Sequence, residues 1–358
     1  MMNFQNSQNF EDRGNYRKAR FWRTFEKNES EESANKVIEC DLCPHRCHII
    51  EGRTGICGVR KNIDGELYLI NYGEITSIAL DPIEKKPLFH FYPGSSIISI
   101  GSWGCNLKCQ FCQNWQIAQS RTLYVKKIEP VELVKIANEY KAEGNIGIAY
   151  TYNEPIVSYE FVYDTAKIAH SLGLKNVLVT NGYISTEPLE EIGNYIDAMN
   201  IDLKALDNEF YKKVCGGTYE PVLNTIEFCV KHNIHVEVTT LVVTGGNDKL
   251  ENLEQEFKIL SEISKDIPLH LSRYHPAYKY TKPSTSIELL IEAYKKATKY
   301  LNYVYLGNVW DEKYESTYCP KCGNVVIIRK GYNIKIENLD GEGRCKVCNN
   351  QILKKSCF

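Results

Sequence analysis

Cysteine is the residue type whose number and spacing in this sequence point most directly to chemistry. The chain has 358 residues and contains 14 cysteines, most of which fall in three short groups. Disulfide frameworks belong mainly to short secreted chains, whereas closely spaced cysteines in a long intracellular chain are typical of metal or iron–sulfur ligands. The sequence therefore predicts three metal-binding groups. The cysteines outside them, which we predict to be bystanders, are Cys215, Cys229 and Cys357.

The central group consists of Cys105, Cys109 and Cys112, in the segment GSWGCNLKCQFCQNW with the spacing C-x3-C-x2-C. It directly follows an apolar run that predicts a strand. Three thiolates rather than four suit a four-iron cluster in which one iron is left open. Such an iron can bind a small molecule through an amine and a carboxylate, and Phe111 offers an aromatic face beside it.

The N-terminal group consists of Cys40, Cys43, Cys47 and Cys57, with the spacing C-x2-C-x3-C-x9-C. Four thiolates in so short a segment can close around one metal ion or one cluster. Zinc and an iron–sulfur cluster are both compatible with this spacing. His45 or His48 could replace one of the cysteines as a ligand.

The C-terminal group consists of Cys319, Cys322, Cys345 and Cys348, with the spacing C-x2-C-x22-C-x2-C. Two such pairs joined by a β-rich spacer predict a zinc ribbon, and iron in a rubredoxin-like site is the alternative. Residues 319–358 carry eight Lys or Arg and three Asp or Glu. That excess is too small to predict nucleic-acid binding, so we expect a role in docking or stability.

Alternating strands and helices must position the central group. From about residue 97, short apolar runs alternate with amphipathic helical stretches, which is typical of βα units around a mainly parallel sheet. About six units predict an α/β fold with a full or partial barrel, whose active site lies at the carboxyl ends of the strands. The predicted strands are 96–101, 146–152, 176–181, 198–203, 235–243, 268–274 and 303–309. The predicted helices are 130–141, 156–172, 187–194, 207–214, 221–232, 249–264 and 285–300.

Composition divides the chain into four segments and limits its location. We predict a polar tail, frayed or helical, over 1–35, a Cys-rich segment over 36–95, the barrel over 96–310 and a ribbon module over 311–358. Phe21, Trp22 and Phe25 are expected to anchor the tail. The net charge of -2 gives no general attraction to nucleic acid or anionic membrane. The sequence shows neither an apolar run long enough to span a bilayer nor a secretory signal, so we predict a cytoplasmic protein.

The central group resembles the hallmark of the radical S-adenosylmethionine (SAM) superfamily, C-x3-C-x-aromatic-C, with Phe111 as the aromatic residue. The resemblance implies a partial (β/α)6 barrel in which Cys105, Cys109 and Cys112 hold a 4Fe-4S cluster that chelates SAM. It also implies reductive cleavage of SAM to a deoxyadenosyl radical, which abstracts hydrogen from the substrate. A low-potential donor, flavodoxin or ferredoxin, is the implied electron source.

Segments at the ends of later strands resemble SAM-binding motifs of the same superfamily. In YNEP, Glu154 matches the acidic residue of a G-G-E-P element that receives the amino group of SAM, while both glycines are replaced. Thr180, Asp202 and Lys204 match T-N-G and D-x-K positions of the activating enzymes of glycyl-radical enzymes. Val179 replaces an Asp that belongs to a cation site there. The structural alternatives are a helix N-terminal charge at Glu154 and a salt bridge between Asp202 and Lys204.

His275, in the segment RYHP, occupies a position where the activating enzymes have a histidine near SAM. A purely structural histidine is the alternative. The loop 241–246, with its pair of glycines, is a weaker candidate for contact with the adenosine side of SAM.

The order of motifs along most of the chain resembles the radical SAM proteins of the AmmeMemoRadiSam system. The segments that carry this likeness are ARFWRTFEK, ECDLCPHRC, GICGVR, DPIEKKPLFHFYPG, GCNLKCQFCQNW, RYHPAYK and YCPKCGN. The resemblance implies Memo-type and AMMECR-type proteins as partners, and an enzyme that modifies or activates a partner protein; an unidentified small molecule is the other substrate class. The competing hypothesis is a non-catalytic iron–sulfur or zinc protein that binds a partner or nucleic acid through the ribbon.

Overall fold

Short antiparallel strands form the N-terminal part of the chain. The computed structural model describes residues 16–24, 36–119 and 124–354. The first seven strands are β1 (Arg17–Lys18), β2 (Trp22–Thr24), β3 (Ile38–Cys40), β4 (Cys47–Ile49), β5 (Arg60–Ile63), β6 (Glu66–Leu69) and β7 (Glu74–Ile75). They pair as two three-stranded sheets, β2-β3-β4 and β1-β6-β5, and β7 pairs with a later strand.

The first described residues are not a frayed or helical tail, which makes that prediction wrong for β1 and β2. Each of these strands pairs with a strand of the Cys-rich segment. Phe21 packs edge-on against Tyr159 with ring centroids 5.0 Å apart, and Trp22 packs against the same core. Both therefore anchor the segment as predicted, while Phe25 lies outside the described residues.

An eight-stranded sheet forms the centre of the fold. Its strands are β8 (Ser77–Pro82), β9 (Ser96–Gly101), β11 (Asn145–Tyr150), β12 (Lys175–Thr180), β13 (Ala198–Asp202), β14 (His235–Val242), β15 (Leu269–Arg273) and β16 (Val304–Gly307). The short strand β10 (Lys126–Lys127) lies outside this sheet and pairs with β7. The order is β16-β15-β14-β13-β12-β11-β9-β8, with β9 and β11 to β16 parallel and β8 antiparallel at one edge. All seven predicted strands are confirmed to within two residues at either end.

Helices connect the parallel strands and cover one face of the sheet. They are α1 (Trp115–Gln119), α2 (Pro130–Glu139), α3 (Tyr159–Ser171), α4 (Thr186–Gly193), α5 (Asn208–Phe210), α6 (Glu220–Lys231), α7 (Leu250–Ile263), α8 (Ile287–Ala297) and α9 (Glu312–Glu315). Strand residues such as Leu178 and Ile201 point into the core beneath them. Alternate side chains of the same strands, such as Val177 and Ala198, point to the other face.

The helical stretch predicted over 207–214 is present, but most of it is not an α-helix. Asp207 caps α5 by accepting hydrogen bonds from the backbone of Glu209 and Phe210, but Tyr211–Cys215 then winds as a π-helix. The last carbonyl groups of this helix bind the central cysteine loop: Lys108 N donates to Cys215 O at 2.7 Å, and Gln110 N donates to Val214 O at 2.9 Å. π-Helical turns occur frequently at functional sites, and this one borders the cysteines.

The segment 83–92 covers the sheet face opposite the helices. Its apolar side chains pack on Val177 and Ala198. Two polar contacts fix it to the sheet: Asn200 Nδ2 donates to Pro87 O at 2.9 Å, and His90 N donates to Glu237 Oε1 at 2.6 Å. The inner face is therefore filled by the chain itself.

The C-terminal module docks on that segment. Its strands are β17 (Thr317–Tyr318), β18 (Val325–Lys330) and β19 (Asn333–Ile336), which form one antiparallel sheet. Arg329 is fully buried; it donates to Phe89 O and to Thr317 Oγ1, both at 2.6 Å, and its guanidinium lies 4.4 Å from the Phe89 ring. Among the described helices, none has the length and apolar character needed to cross a membrane.

Candidate active site

The loop after β9 carries the central cysteine group at the carboxyl edge of the parallel strands. Cys109 is buried, and Cys105 and Cys112 are half-buried. Gly104 adopts φ +89°, and a Cβ there would lie 2.6 Å from Val59 Cγ1, so both conformation and space require glycine. Asn153, on the loop after β11, accepts from Ser102 N at 2.9 Å and donates to the Gly104 carbonyl at 3.0 Å. Neighbouring loops thus hold the loop in place.

The environment of the three thiols fits an anionic metal cluster. Burial raises the pKa of Cys105 well above its ordinary value and that of Cys112 to about 11, whereas a hydrogen bond from Cys215 lowers the pKa of Cys109. Buried thiols of this kind become thiolates when they bind a positively charged metal centre. The charge of Lys204 acts on Cys109 and Cys112 and favours their thiolate forms. The donor set and its nearby cation therefore suit an iron–sulfur cluster.

Glu154, just beyond β11, is buried and receives three hydrogen bonds. Thr180 Oγ1 donates to Oε1 at 2.7 Å, Ile156 N donates to Oε1 at 3.1 Å, and Asn181 N donates to Oε2 at 2.8 Å. Burial raises the pKa of Glu154 to about 7, although these donors oppose the rise. A carboxylate has about four acceptor positions, so one remains for a further donor. Glu154 both begins the 3-10 helix Pro155–Ser158 and joins the ends of β11 and β12.

Tyr152 occupies a backbone conformation that explains the glycine of the related motif. Its φ is +72°, in the left-handed region that favours glycine. Contacts on both sides hold the residue there: Tyr152 OH donates to Asp81 Oδ2 at 2.5 Å, and Asn114 Nδ2 donates to the Tyr152 carbonyl at 2.8 Å. Lys86 Nζ lies 4.6 Å from the centre of the ring. The backbone shape that glycine favours is thus kept by side-chain anchoring.

Asp202 and Lys204 lie next to the cysteine loop at the end of β13. Their side chains form an ion pair of 3.0 Å, and Lys204 Nζ lies 6.0 Å from the centre of the Phe111 ring. Burial opposes the charge of Lys204, but the neighbouring Asp202 carboxylate raises its pKa well above the ordinary value. Lys204 is therefore a fixed cation, and the salt bridge expected as the structural alternative is present.

Asparagines that the sequence analysis did not single out connect these parts. Asn181 Nδ2 donates to Asn106 Oδ1 at 2.9 Å and lies 3.8 Å from Cys105 Sγ. Asn247 Nδ2 donates to the Lys204 carbonyl at 2.6 Å, which ties the loop after β14 to the loop after β13. Asn181 belongs to the T-N-G element and Asn106 follows the first cysteine, so their positions carried a signal. Asn247 had none.

Comparison with known proteins identifies the family. Residues 100–260 match the Radical SAM superfamily. The chain is 48% identical over 324 residues to the uncharacterized protein MJ0808 of Methanocaldococcus jannaschii, covering 89% of this chain and 95% of that protein. The chain belongs to the radical SAM superfamily. Membership makes it an enzyme and implies a 4Fe-4S cluster and SAM as its cofactors.

This radical SAM enzyme is also similar to two characterised proteins. It is 25% identical over 209 residues to the pyruvate formate-lyase-activating enzyme of Clostridium pasteurianum, which covers 55% of this chain and 87% of that enzyme. The crystal structure of Streptococcus suis SuiB bound to S-adenosylmethionine matches with a TM-score of 0.49 and 15% identity, over 63% of this chain and 53% of SuiB.

The candidate residue His275 of the radical SAM enzyme lies apart from this group, and so does Val179, which replaces the Asp of the related cation site. His275 is exposed on the loop after β15, where its Nδ1 lies 2.9 Å from Ser284 Oγ. Val179 packs against the apolar cluster formed with the segment 83–92. The group that the structure does bring together is buried or half-buried and comprises the three central cysteines, Phe111, Glu154, Thr180, Asp202 and Lys204.

The C-terminal group converges on a second candidate metal centre. Cys319 Sγ lies 3.4 Å from Cys348 Sγ, and Cys322 Sγ lies 3.7 Å from Cys345 Sγ. All four sulfur atoms lie within 4.8 Å of one another. Metal–sulfur bonds of about 2.3 Å in a tetrahedral site place the sulfurs about 3.8 Å apart, so this geometry suits a single metal ion.

Proposed function

We propose that this radical SAM enzyme binds its cluster and SAM at the carboxyl edge of the sheet and abstracts hydrogen from a partner protein. The observation that carries the proposal is the convergence of the central cysteines with Glu154, Asp202 and Lys204 at one edge. Pyruvate formate-lyase-activating enzymes and 4-hydroxyphenylacetate decarboxylase activating enzymes are among the relatives, which supports a protein as substrate. The AmmeMemoRadiSam resemblance makes Memo-type and AMMECR-type proteins the candidate partners.

We propose that the sheet curves into a partial barrel, which suits this arrangement. Glu84 and Lys85 follow the edge strand β8, and Leu306 and Gly307 belong to the opposite edge strand β16, yet all four line the same cavity. The segment 83–92 thus joins the two edges of the sheet at one cavity, which is consistent with a curved sheet. Such curvature directs the carboxyl ends of the strands toward a common centre.

Each polar residue of the site has a proposed role. Cys105, Cys109 and Cys112 hold the cluster, which when bound and reduced supplies the electron for cleavage of SAM. Glu154 accepts a hydrogen bond from the ammonium group of SAM with its remaining acceptor position. Lys204 neutralises the SAM carboxylate. The supporting roles belong to Asp202, which orients Lys204 or binds a ribose hydroxyl, and to Thr180, which orients Glu154.

An electron donor such as flavodoxin or ferredoxin would approach the cysteine loop. Three exposed lysines surround that loop and are tied to it by backbone contacts. Lys108 Nζ donates to Cys105 O at 3.2 Å, Gln110 Nε2 donates to Lys213 O at 2.9 Å, and Lys279 N donates to Gln110 O at 2.9 Å. Lys213 forms an ion pair with Glu209, so the positive charge at this place comes from Lys108 and Lys279, and it favours docking of an acidic partner.

At the other end of the chain, we propose zinc for the C-terminal group, with a structural role.

Anaerobic reconstitution tests the catalytic proposal. The protein loaded with iron and sulfide is expected to convert SAM to methionine and deoxyadenosine when dithionite is added. Cys109→Ala should abolish this conversion, whereas Cys229→Ala, at a buried cysteine packed 3.6 Å from Met199 Sδ, should retain it. Absence of both products from protein with a demonstrated cluster would favour the non-catalytic alternative. Mass spectrometry of Memo-type and AMMECR-type proteins after turnover then tests the partner.

A further inference from the structure

The N-terminal cysteines enclose one cavity beside the candidate active site. Cys40 and Cys47 face each other across the β3–β4 hairpin, Cys43 lies in its turn, and Cys57 lies in the loop before β5. All four line the same cavity, and two of them are buried. One short segment thus places four thiols around a single cavity.

The two histidines of this segment have other partners. His45 Nε2 lies 2.7 Å from the Asn106 carbonyl oxygen, and His48 Nε2 lies 3.2 Å from Glu39 Oε2. A histidine can keep such a contact through one ring nitrogen and bind a metal through the other. Four thiolates already supply every protein ligand that a four-iron cluster needs, so we assign the four cysteines as the ligands.

The spacing of the sulfur atoms separates the three cysteine groups into two kinds. Throughout the parts of the chain that the structure describes, the C-terminal group alone brings three or more ligand atoms of His, Cys, Asp or Glu within 4.8 Å of one another. One ion with metal–sulfur bonds of about 2.3 Å needs sulfurs about 3.8 Å apart. In a four-iron cluster each thiolate binds a different iron, so the sulfurs lie farther apart. The N-terminal group has the wider spacing and shares it with the central group.

A buried guanidinium supplies a second, independent observation. Arg60 is 1% exposed and forms an ion pair of 3.0 Å with Glu160, yet its Nε has no hydrogen-bond partner. Arg60 lines the cysteine cavity, and its charge interacts with the thiols of Cys40 and Cys57. A buried donor without a partner is costly. A sulfur-rich anion in the cavity would accept that hydrogen bond.

We propose that Cys40, Cys43, Cys47 and Cys57 hold a second 4Fe-4S cluster, with Arg60 as its neighbouring cation. The sulfur spacing favours a cluster over a single zinc ion, and the buried guanidinium matches the negative charge of a cluster. Because all four irons carry a protein ligand, none is open to substrate, and the centre serves electron transfer.

The position of the cavity identifies the central cluster as the electron acceptor. Asn106 lines the cavity and is the direct neighbour of Cys105, and the Cys57 carbonyl oxygen lies 2.9 Å from where a Cβ of Gly104 would be. The two cysteine sites are thus direct neighbours, in contact through Asn106 and Gly104. One electron passes from a low-potential protein donor of the ferredoxin or flavodoxin class to the second cluster, and from there to the cluster at Cys105. No proton moves and no bond forms or breaks in this transfer.

Removal of the central ligands tests the second cluster without relying on the proposed function. The variant with Cys105→Ala, Cys109→Ala and Cys112→Ala, reconstituted anaerobically, is expected to retain about four irons per chain. Its reduced state should give an electron paramagnetic resonance signal that SAM does not change. Absence of iron together with a second zinc per chain would overturn the proposal. Failure of SAM cleavage in the unaltered protein would leave this result unaffected.

Two further measurements hold even if the triple variant does not fold. The unaltered protein is expected to bind about eight irons per chain, and a value near four would refute the second cluster. The double variant Cys43→Ala/Cys57→Ala should lose half of the iron and keep the SAM-responsive signal. SAM cleavage by this variant should slow when a protein donor replaces dithionite; equal slowing with both reductants would overturn the electron-transfer role. Cys322→Ser, the matched control, should lose zinc and retain all of the iron.

Discussion

Exchanging Tyr152 for alanine and, separately, for glycine tests whether side-chain anchoring offsets a strained backbone next to Glu154. Both variants remove the phenol that donates to Asp81 and the ring that lies 4.6 Å from Lys86 Nζ. Only the alanine variant keeps a Cβ at φ +72°. The left-handed conformation costs a non-glycine residue about 1–2 kcal/mol. Glycine at position 152 should therefore be more stable than alanine by about that amount.

Tyrosine should nevertheless be more stable than either replacement. A hydrogen bond to a charged group contributes about 1.5–3 kcal/mol, and a cation–π contact adds about 0.5–2 kcal/mol. Together these contacts exceed the backbone cost. The expected order of stability is tyrosine, then glycine, then alanine.

Urea unfolding of the reconstituted protein, followed by circular dichroism under anaerobic conditions, measures this order. Lys167, exposed in the middle of α3, provides the matched control. There Lys167→Gly should be less stable than Lys167→Ala by about 1 kcal/mol, the ordinary helix preference. An alanine variant at 152 that equals or exceeds the glycine variant would refute the account of the glycine in the related motif.

Three other predictions concern buried charge and the cluster. The pKa of Glu154, raised to about 7 by burial, lies above its unfolded value. Neutral Glu154 therefore stabilises the folded protein at low pH, and this contribution to the free energy of unfolding is lost as pH rises from about 4 through 7. Glu154→Gln should remove up to about 3 kcal/mol of this pH dependence. Arg60→Met leaves the Glu160 carboxylate buried without its partner and should destabilise by about 3–5 kcal/mol, whereas Arg60→Met/Glu160→Leu should recover most of the loss in the same unfolding assay; an equal loss in both would contradict the pairing. Cys215→Ala removes a hydrogen bond to Cys109 and should shift the reduction potential of that cluster to a more negative value, measured by redox titration, with unchanged iron content; an unchanged potential would assign Cys215 to packing alone.

Local patterns made the strands and the cysteine groups predictable. Strand positions follow from runs of apolar residues, and ligand groups follow from spacing within a few residues. The convergence of Glu154, Thr180 and Asp202 was also predictable, because parallel strands place their carboxyl ends at one edge. Each of these features depends on neighbours in sequence or on a general rule of sheet topology.

Features that depend on distant residues were not predictable. The π-helix over Tyr211–Cys215 has the periodicity of an ordinary amphipathic helix, and its widening matches the backbone of Lys108 and Gln110 about a hundred residues earlier. Neither could the sequence show that the segment 83–92 fills the inner face of the sheet, because its partners Asn200 and Glu237 are far away in the chain. His275 matches a position near SAM in the activating enzymes, yet it lies on an exposed loop apart from the candidate site. Here a motif predicted a contact that the fold does not bring about.

The contact between Arg329 and Phe89 spans 240 residues of sequence. During synthesis, the segment 83–92 emerges long before the residues that complete its burial, and contacts of such separation form late and slowly. The inner wall of the enzyme is therefore finished by the module that carries the C-terminal cysteines. We therefore expect a chain without metal at the C-terminal cysteines to keep an incomplete inner wall, which would make maturation of the catalytic part depend on metal supply at the other end of the chain.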